Sequence, residues 1–328
     1  MNEEIKKLNL KAGEYAKVLG KLQDELSGVI VGQKDVSRKV ILGLIANGHI
    51  LIEGVPGLAK TLMISSLARA IDSDFVRLQF TPDLLPADIT GTKIYDHEES
   101  VFKIEKGPIF SNFVLADEIN RAPPKVQSAL LEAMQERQVS IHGQTFEMKK
   151  PFLVLATQNP IESEGTYNLP EAQVDRFMFK ILIGYPSKSE EVEIINRFTG
   201  EVSVVIGKVL NSKKILEIQD FCRRVYVDDK IKSYVVEIVD ATRNPSDYKL
   251  ELDGKIDFGA SPRASLWLIL AAKANALFEG RGYVIPEDVK EVGFEVLRHR
   301  IILSYEAEAE NISSDDIIKE ILDKIKVP

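Results

Sequence analysis

Apolar and polar positions along this chain follow two periods, and the change of period marks its elements. Ile5, Leu8, Tyr15, Val18, Leu19, Leu22 and Leu26 recur at the spacing of one helical face, and Ser27-Gly28 ends that helix. A second helix is predicted over 34–46, with Asn47-Gly48 as its cap. Short continuous apolar runs read as buried strands: His49-Ile50-Leu51-Ile52, 75–80, Phe113-Val114-Leu115-Ala116, 152–156 and 177–183. Helices are predicted from Lys60 onward and after Pro123-Pro124, where Val126, Leu130 and Met134 share a face. The stretch 139–148 alternates around His142-Gly143, as a β-hairpin does. Beyond 187 strand patterns largely cease. Helical stretches follow at 190–197, 215–225, 231–242 and 265–278, with more near 288–298 and 315–325. Gly200 and Gly207 lie in a weakly patterned linker between the first two.

One stretch breaks this economy. Residues 81–108 are rich in Asp, Thr, Gly and Pro, with a candidate turn at Asp96-His97-Glu98-Glu99. That is long for a connection inside an α/β unit; a functional insertion and a solvated loop both remain open.

The chemistry begins where the first apolar strand ends. Gly54-Val55-Pro56-Gly57-Leu58-Ala59-Lys60-Thr61 fits G-x-x-x-x-G-K-[ST], except that Ala59 stands where the last glycine usually does. A strand before it and a helix starting at the lysine are the context this motif needs. Backbone N–H groups at the helix start then cradle phosphate oxygens, while Lys60 reaches the phosphates and the Thr61 hydroxyl holds Mg²⁺. An ordinary Gly/Pro turn has no need of Lys-Thr after it. Downstream, the strand 113–116 runs into Asp117-Glu118, the acidic partner a phosphate loop requires: one carboxylate beside Mg²⁺, directly or through water, the other to orient and deprotonate water. A further strand ends at Thr157-Gln158-Asn159, whose amides can polarise water near a γ-phosphate. Ser261-Pro262-Arg263 combines an N-cap serine with a first-turn proline, so Arg263 projects from a helix start. Arg176, read alone, is a surface salt-bridge residue.

Composition narrows the classes. The 328 residues exceed one compact core and imply two domains. A formal net charge of −8 argues against a general nucleic-acid binder, though not against a local basic patch. The single cysteine, Cys222, cannot form an internal disulfide and fits a reducing cytoplasm; beside Phe221 and Val225 it reads as a small core residue. No apolar run approaches the ~20 residues of a membrane helix. The four histidines show no metal-ligand spacing.

Taken in order, these motifs resemble those of the AAA+ ATPases, and within them the MoxR family. The carriers are 54–61, Leu115-Ala116-Asp117-Glu118-Ile119-Asn120-Arg121-Ala122-Pro123-Pro124, Ala156-Thr157-Gln158-Asn159-Pro160, Asp175-Arg176-Phe177 and Gly259-Ala260-Ser261-Pro262-Arg263. The resemblance implies an ATPase core over 1–186, with a parallel five-stranded sheet flanked by helices and insertions at 81–108 and 139–148. An all-α lid over 187–328 would follow. It further implies ATP/ADP and Mg²⁺ held by Gly54, Pro56, Gly57, Leu58, Ala59, Lys60, Thr61, Leu62 and Asp117, with Val31, Gly32 and Gln33 against adenine. Thr61 and Asp117 would face the metal. Glu118 would activate water, Asn159 would be sensor 1, Arg176 an arginine finger reaching a neighbouring subunit's γ-phosphate, and Arg263 sensor 2 from the lid.

The resemblance thus implies a homo-hexameric, ATP-hydrolysing chaperone that matures client protein complexes, with metal or cofactor loading as one such task. A separate von Willebrand factor A-type partner is expected to assist it. A DNA-acting motor, a magnesium-chelatase-like motor subunit and a nucleotide-gated scaffold without turnover are the alternatives.

Overall fold

The computed structural model describes residues 3–55, 57–160, 165–199 and 206–328. Two long helices, α1 (Glu3–Val29) and α2 (Lys34–Ile45), lead into β1 (Ile50–Glu53) and α3 (Lys60–Ala70), then β2 (Phe75–Gln79). The 81–108 segment is a short helix, α4 (Pro86–Thr90), and an antiparallel hairpin, β3 (Gly91–Asp96) and β4 (Val101–Lys106), in unbroken register from Gly91↔Lys106 to Asp96↔Val101. The segment therefore carries regular secondary structure of its own, much of it solvent-exposed. The Asp96 carboxylate accepts from the backbone N–H groups of Glu98 and Glu99, which fixes the turn.

The chain continues with β5 (Phe113–Asp117), α5 (Pro124–Glu136), the hairpin β6 (Gln138–Ile141) and β7 (Gln144–Glu147), β8 (Leu153–Gln158), α6 (Glu171–Val174) and β9 (Phe179–Leu182). Five of these strands form one parallel sheet in the order β2-β5-β8-β1-β9. Both its faces are covered, which is why its strands read as continuous apolar runs rather than alternating ones. Ile50, Ile52, Leu115, Leu155 and Ile181 pack toward α1, α2 and α3; Leu51, Val114, Val154 and Ala156 pack toward α5 and the β6–β7 hairpin.

The remaining helices are α7 (Lys188–Thr199), α8 (Ser212–Arg224), α9 (Asp229–Ala241), α10 (Pro262–Phe278), α11 (Pro286–Leu297), α12 (Tyr305–Ala309) and α13 (Ser314–Lys324). A small antiparallel pair, β10 (Ile256–Phe258) with β11 (Ile302–Leu303), is added among them. Its strands have three and two residues, too short for a period to register in the sequence. Gly207 of the weakly patterned linker is described, whereas Gly200 lies outside the described residues.

The helical part is fastened to the sheet-bearing part at several points. Gln219 donates to the Leu44 carbonyl at 2.7 Å, Arg38 donates to Asn275 and Glu279 at 2.8 and 2.6 Å, and the Tyr15 ring packs against Phe221 at a tilt of 58° with centroids 5.1 Å apart. No helix among the described residues is long and apolar enough to cross a membrane.

Candidate nucleotide site

The C-terminal ends of β1, β5 and β8 lie side by side because the strands are parallel and adjacent, and open sheets of this kind place ligands at that edge. A cleft of about 410 Å³ opens there, lined by Gly57, Leu58, Ala59, Lys60, Thr61, Leu62, Arg77, Asp117, Glu118, Thr157, Gln158 and Asn159. Residues from four distant stretches of sequence thus share one wall.

The loop after β1 has the backbone that phosphate binding demands. Gly57 has φ +85°, a region that favours glycine. At Gly54 a Cβ would stand 2.7 Å from the Ile183 carbonyl oxygen, so the chain passes there only without a side chain. Ala59 caps α3 at φ 55° and ψ 21°, accepting the left-handed turn that a glycine usually makes in this motif. Pro56 lies outside the described residues. Lys60 begins α3 and donates to the Gly54 carbonyl at 2.6 Å. Burial lowers the pKa of its ammonium, against the opposing pull of Asp117, Glu118 and Glu53. A half-buried cation facing carboxylates across an open cleft, with helix N–H groups beside it, suits a polyanion such as a triphosphate.

Asp117 and Glu118 occupy different surroundings although adjacent. Asp117 ends β5; its carboxylate accepts from Arg77 Nε and Nη2 at 3.0 and 2.6 Å and from the Thr157 hydroxyl at 2.7 Å. Glu118 has φ 56° and ψ 52°, so the chain turns sharply out of the strand at this residue. Its Oε2 accepts from Gln79 Nε2 at 2.8 Å and Arg121 Nη1 at 2.9 Å, and its N–H donates to Thr157 Oγ1 at 2.9 Å. Thr157 therefore pins both acidic residues from the neighbouring strand. A hydroxyl at a helix start and a carboxylate at a strand end, Thr61 and Asp117, offer the hard oxygen donors that suit Mg²⁺. Among the described residues no group of three His, Cys, Asp or Glu forms an all-protein metal site.

Val31, Gly32 and Gln33 do not line this cleft, but Gln33 is tied to it, donating from Nε2 to the Leu58 carbonyl at 3.1 Å. Arg176 and Arg263 are elsewhere. They line a second cavity of about 160 Å³ with His49, Met134, Gln135, Arg137 and Trp267, and no residue is common to the two clefts. His49 precedes β1 and the phosphate loop follows it, so the cavities lie at opposite ends of that strand, about 13 Å of backbone apart by strand rise. Arg263 donates from Nη1 to Asp175 Oδ2 at 3.0 Å, and is thus held toward β9 rather than toward the Lys60 cleft of its own chain.

Sequence reasoning missed Arg77, Gln79, Arg121, Thr157 and Asp175 as supporting residues. Arg77, Gln79, Thr157 and Asp175 act through partners in other elements, whereas Arg121 pairs with Glu118 three residues before it, a local spacing the sequence did offer.

The sheet region matches the ATPase family associated with various cellular activities over residues 49–179, and residues 252–321 match the AAA lid domain. The chain is 51% identical over 305 residues to Chaperone MoxR1 of Mycobacterium tuberculosis, spanning 93% of this chain and 81% of that protein. It is 45% identical over 313 residues to YeaC, an uncharacterized protein of Bacillus subtilis, spanning 95% of each. A 2.00 Å crystal structure of a Cytophaga hutchinsonii protein provisionally described as an ATPase superposes with a TM-score of 0.93 at 49% identity, over 100% of both chains. Likeness of this order runs through sheet and lid alike, and the chain belongs to the MoxR family of AAA+ ATPases.

Proposed function

We propose that this chain hydrolyses ATP within a head-to-tail ring, each cleft being completed by arginines of the next subunit, and spends the turnover on remodelling client protein complexes. The observation that carries the reading is the separation of the two cavities. Lys60, Asp117, Glu118 and Asn159 line one, whereas Arg176 and Arg263 line the other, at the far end of β1. Guanidiniums too far to serve their own cleft can serve a neighbour's when a heterologous interface repeats around a closed ring.

Within one cleft the roles follow from chemistry. The α3 N-terminus and Lys60 bind phosphate oxygens. Glu118, on its out-turned backbone, accepts a proton from the attacking water, and Asn159 orients that water. Mg²⁺, held by Thr61 and Asp117, would supply charge compensation on the phosphates. Arg176 and Arg263 of the neighbouring subunit would stabilise charge on the transferred phosphoryl group, a contribution of about 10³–10⁵ in rate for a finger of this kind. A sixfold ring, a separate von Willebrand factor A-type partner and cytoplasmic clients complete the proposal. The two hairpins, β3–β4 and β6–β7, are its candidate contacts with client or partner, since Tyr95, Val101 and Phe102 are exposed on the first.

The test is subunit mixing. Lys60→Ala and Arg176→Ala proteins should each be nearly inactive, yet random mixing should create a working interface at about a quarter of positions. Recovery of a measurable fraction of the original phosphate-release rate is expected. Mixed rings seen by mass photometry with no gain in rate would refute action between subunits.

A further inference from the structure

A buried guanidinium outside both cavities links the arginine pair to the lid. Arg300 follows α11 and its side chain is 1% exposed. Its Nη2 donates to the carbonyls of Asp175 and Phe177, at 2.9 and 2.6 Å, which are the carbonyls on either side of Arg176. Its Nη1 donates to the carbonyls of Met178, at 3.3 Å, and Val296. Its Nε donates to Asp175 Oδ1 at 2.7 Å, while Oδ2 of the same carboxylate accepts from Arg263 Nη1 and from the Ser261 hydroxyl, each at 3.0 Å. One side chain therefore braces the backbone that carries Arg176, and through one carboxylate it reaches Arg263.

The neighbouring residues act in the same direction. β9 is an edge strand of the sheet, and among the described residues no strand pairs with it on its outer side. Arg298 donates to the Lys180 carbonyl at 3.0 Å, and the His299 ring pairs with the Phe177 carbonyl at 3.1 Å. Three consecutive lid side chains thus satisfy carbonyls that an edge strand would otherwise leave to water.

From this arrangement we infer that Arg300 is a positioning residue, which sets the geometry and the charge of Arg176 and Arg263 through Asp175. The inference rests on the proposal that these two arginines serve the neighbouring subunit. Geometry requires arginine: the planar fork reaches a carboxylate and four carbonyls at once, and an ammonium on a flexible stem cannot. Charge requires the sharing. Asp175 alone would neutralise Arg263; divided between two guanidiniums, it leaves the group one net positive charge to present to phosphate. Burial pulls the Arg300 pKa down to about 10, with Asp175 opposing, so it stays charged at neutral pH.

The experiment uses full-length Arg300→Lys protein in directional mixing, with Asp175→Asn as a second, near-isosteric variant should the first not fold. Each should bind ATP with unaltered affinity and hydrolyse it about 10²-fold more slowly, the loss typical of catalytic groups misplaced by about 1 Å. Mixed with Lys60→Ala subunits, whose arginines are intact, Arg300→Lys subunits should regain activity, because they then supply only the ATP site. Mixed with Arg176→Ala subunits they should regain none, because no subunit in that ring offers a sound arginine side. Recovery in both mixtures, or in neither, would overturn the positioning role; in neither, the lesion would be a general structural one. The Lys60→Ala plus Arg176→Ala mixture separates the premises: if that pair fails to recover, action between subunits is wrong, and this inference falls with it.

Discussion

Gln79 offers the most discriminating perturbation of the proposed chemistry. It ends β2, next to β5 in the sheet, and donates at 2.8 Å to the Glu118 oxygen that Arg121 also holds at 2.9 Å. Gln79 draws the carboxylate toward β2 while Arg121 holds the same oxygen from the turn after β5, and Glu118 must leave or loosen that pose to take a proton from water. Gln79→Ala removes one of the two restraints. A hydrogen bond to a charged group contributes a net ~1.5–3 kcal/mol when shielded from water. With Glu118 23% and Arg121 45% exposed, water screens the cluster and reduces this to ~0.5–1 kcal/mol. A barrier lowered by ~0.5–1 kcal/mol corresponds to an increase in turnover of about two- to fivefold. Asp117 should be untouched, since Arg77 keeps two bonds to it without Gln79. The assay is steady-state phosphate release at saturating ATP, with nucleotide affinity titrated in parallel. A fall in turnover at unaltered affinity would refute the reasoning, because Gln79 would then be orienting Glu118 for catalysis instead of restraining it.

Two further outcomes are expected. Lys60→Ala should lose ATP affinity and hydrolysis together, whereas Glu118→Gln should bind ATP normally and not turn it over; fluorescence titration showing equal loss of binding in both would refute the division of roles. Cys222 is fully enclosed, and burial pushes its thiol up to about 12, so the native protein should resist thiol reagents until it is unfolded. The sign for stability follows: a folded pKa above the unfolded value of about 8.5 favours the native state fully below that pH and progressively less up to pH 12. Cys222→Ser should flatten this part of the alkaline stability profile, and an unchanged slope in pH-dependent thermal melts would contradict it.

The elements of this protein were legible in its sequence because burial imposes a period on short stretches. β1, β5 and β8 are apolar runs covered on both faces, and α10 begins at Ser261-Pro262, whose serine side chain accepts from the Arg263 N–H in the cap geometry the pair announces. The candidate phosphate loop was legible for a related reason: the chemistry proposed for it needs neighbours in sequence, and Gly54 through Thr61 offer them locally. Asp117-Glu118 was recognisable as a strand end, and the hairpin at 139–148 as an alternation around a turn. What joins these pieces is not local. That Asp117 faces Lys60 follows from the strand order β2-β5-β8-β1-β9, and strand order depends on which apolar faces pack together. Arg77 meets Asp117 across 40 residues and Arg300 meets Asp175 across 125, contacts that leave no period or spacing behind. The tertiary structure alone decided that Arg263 is held toward Arg176 and away from the phosphate loop, since a helix-start arginine takes its direction from the carboxylate that folding brings within 3.0 Å of it.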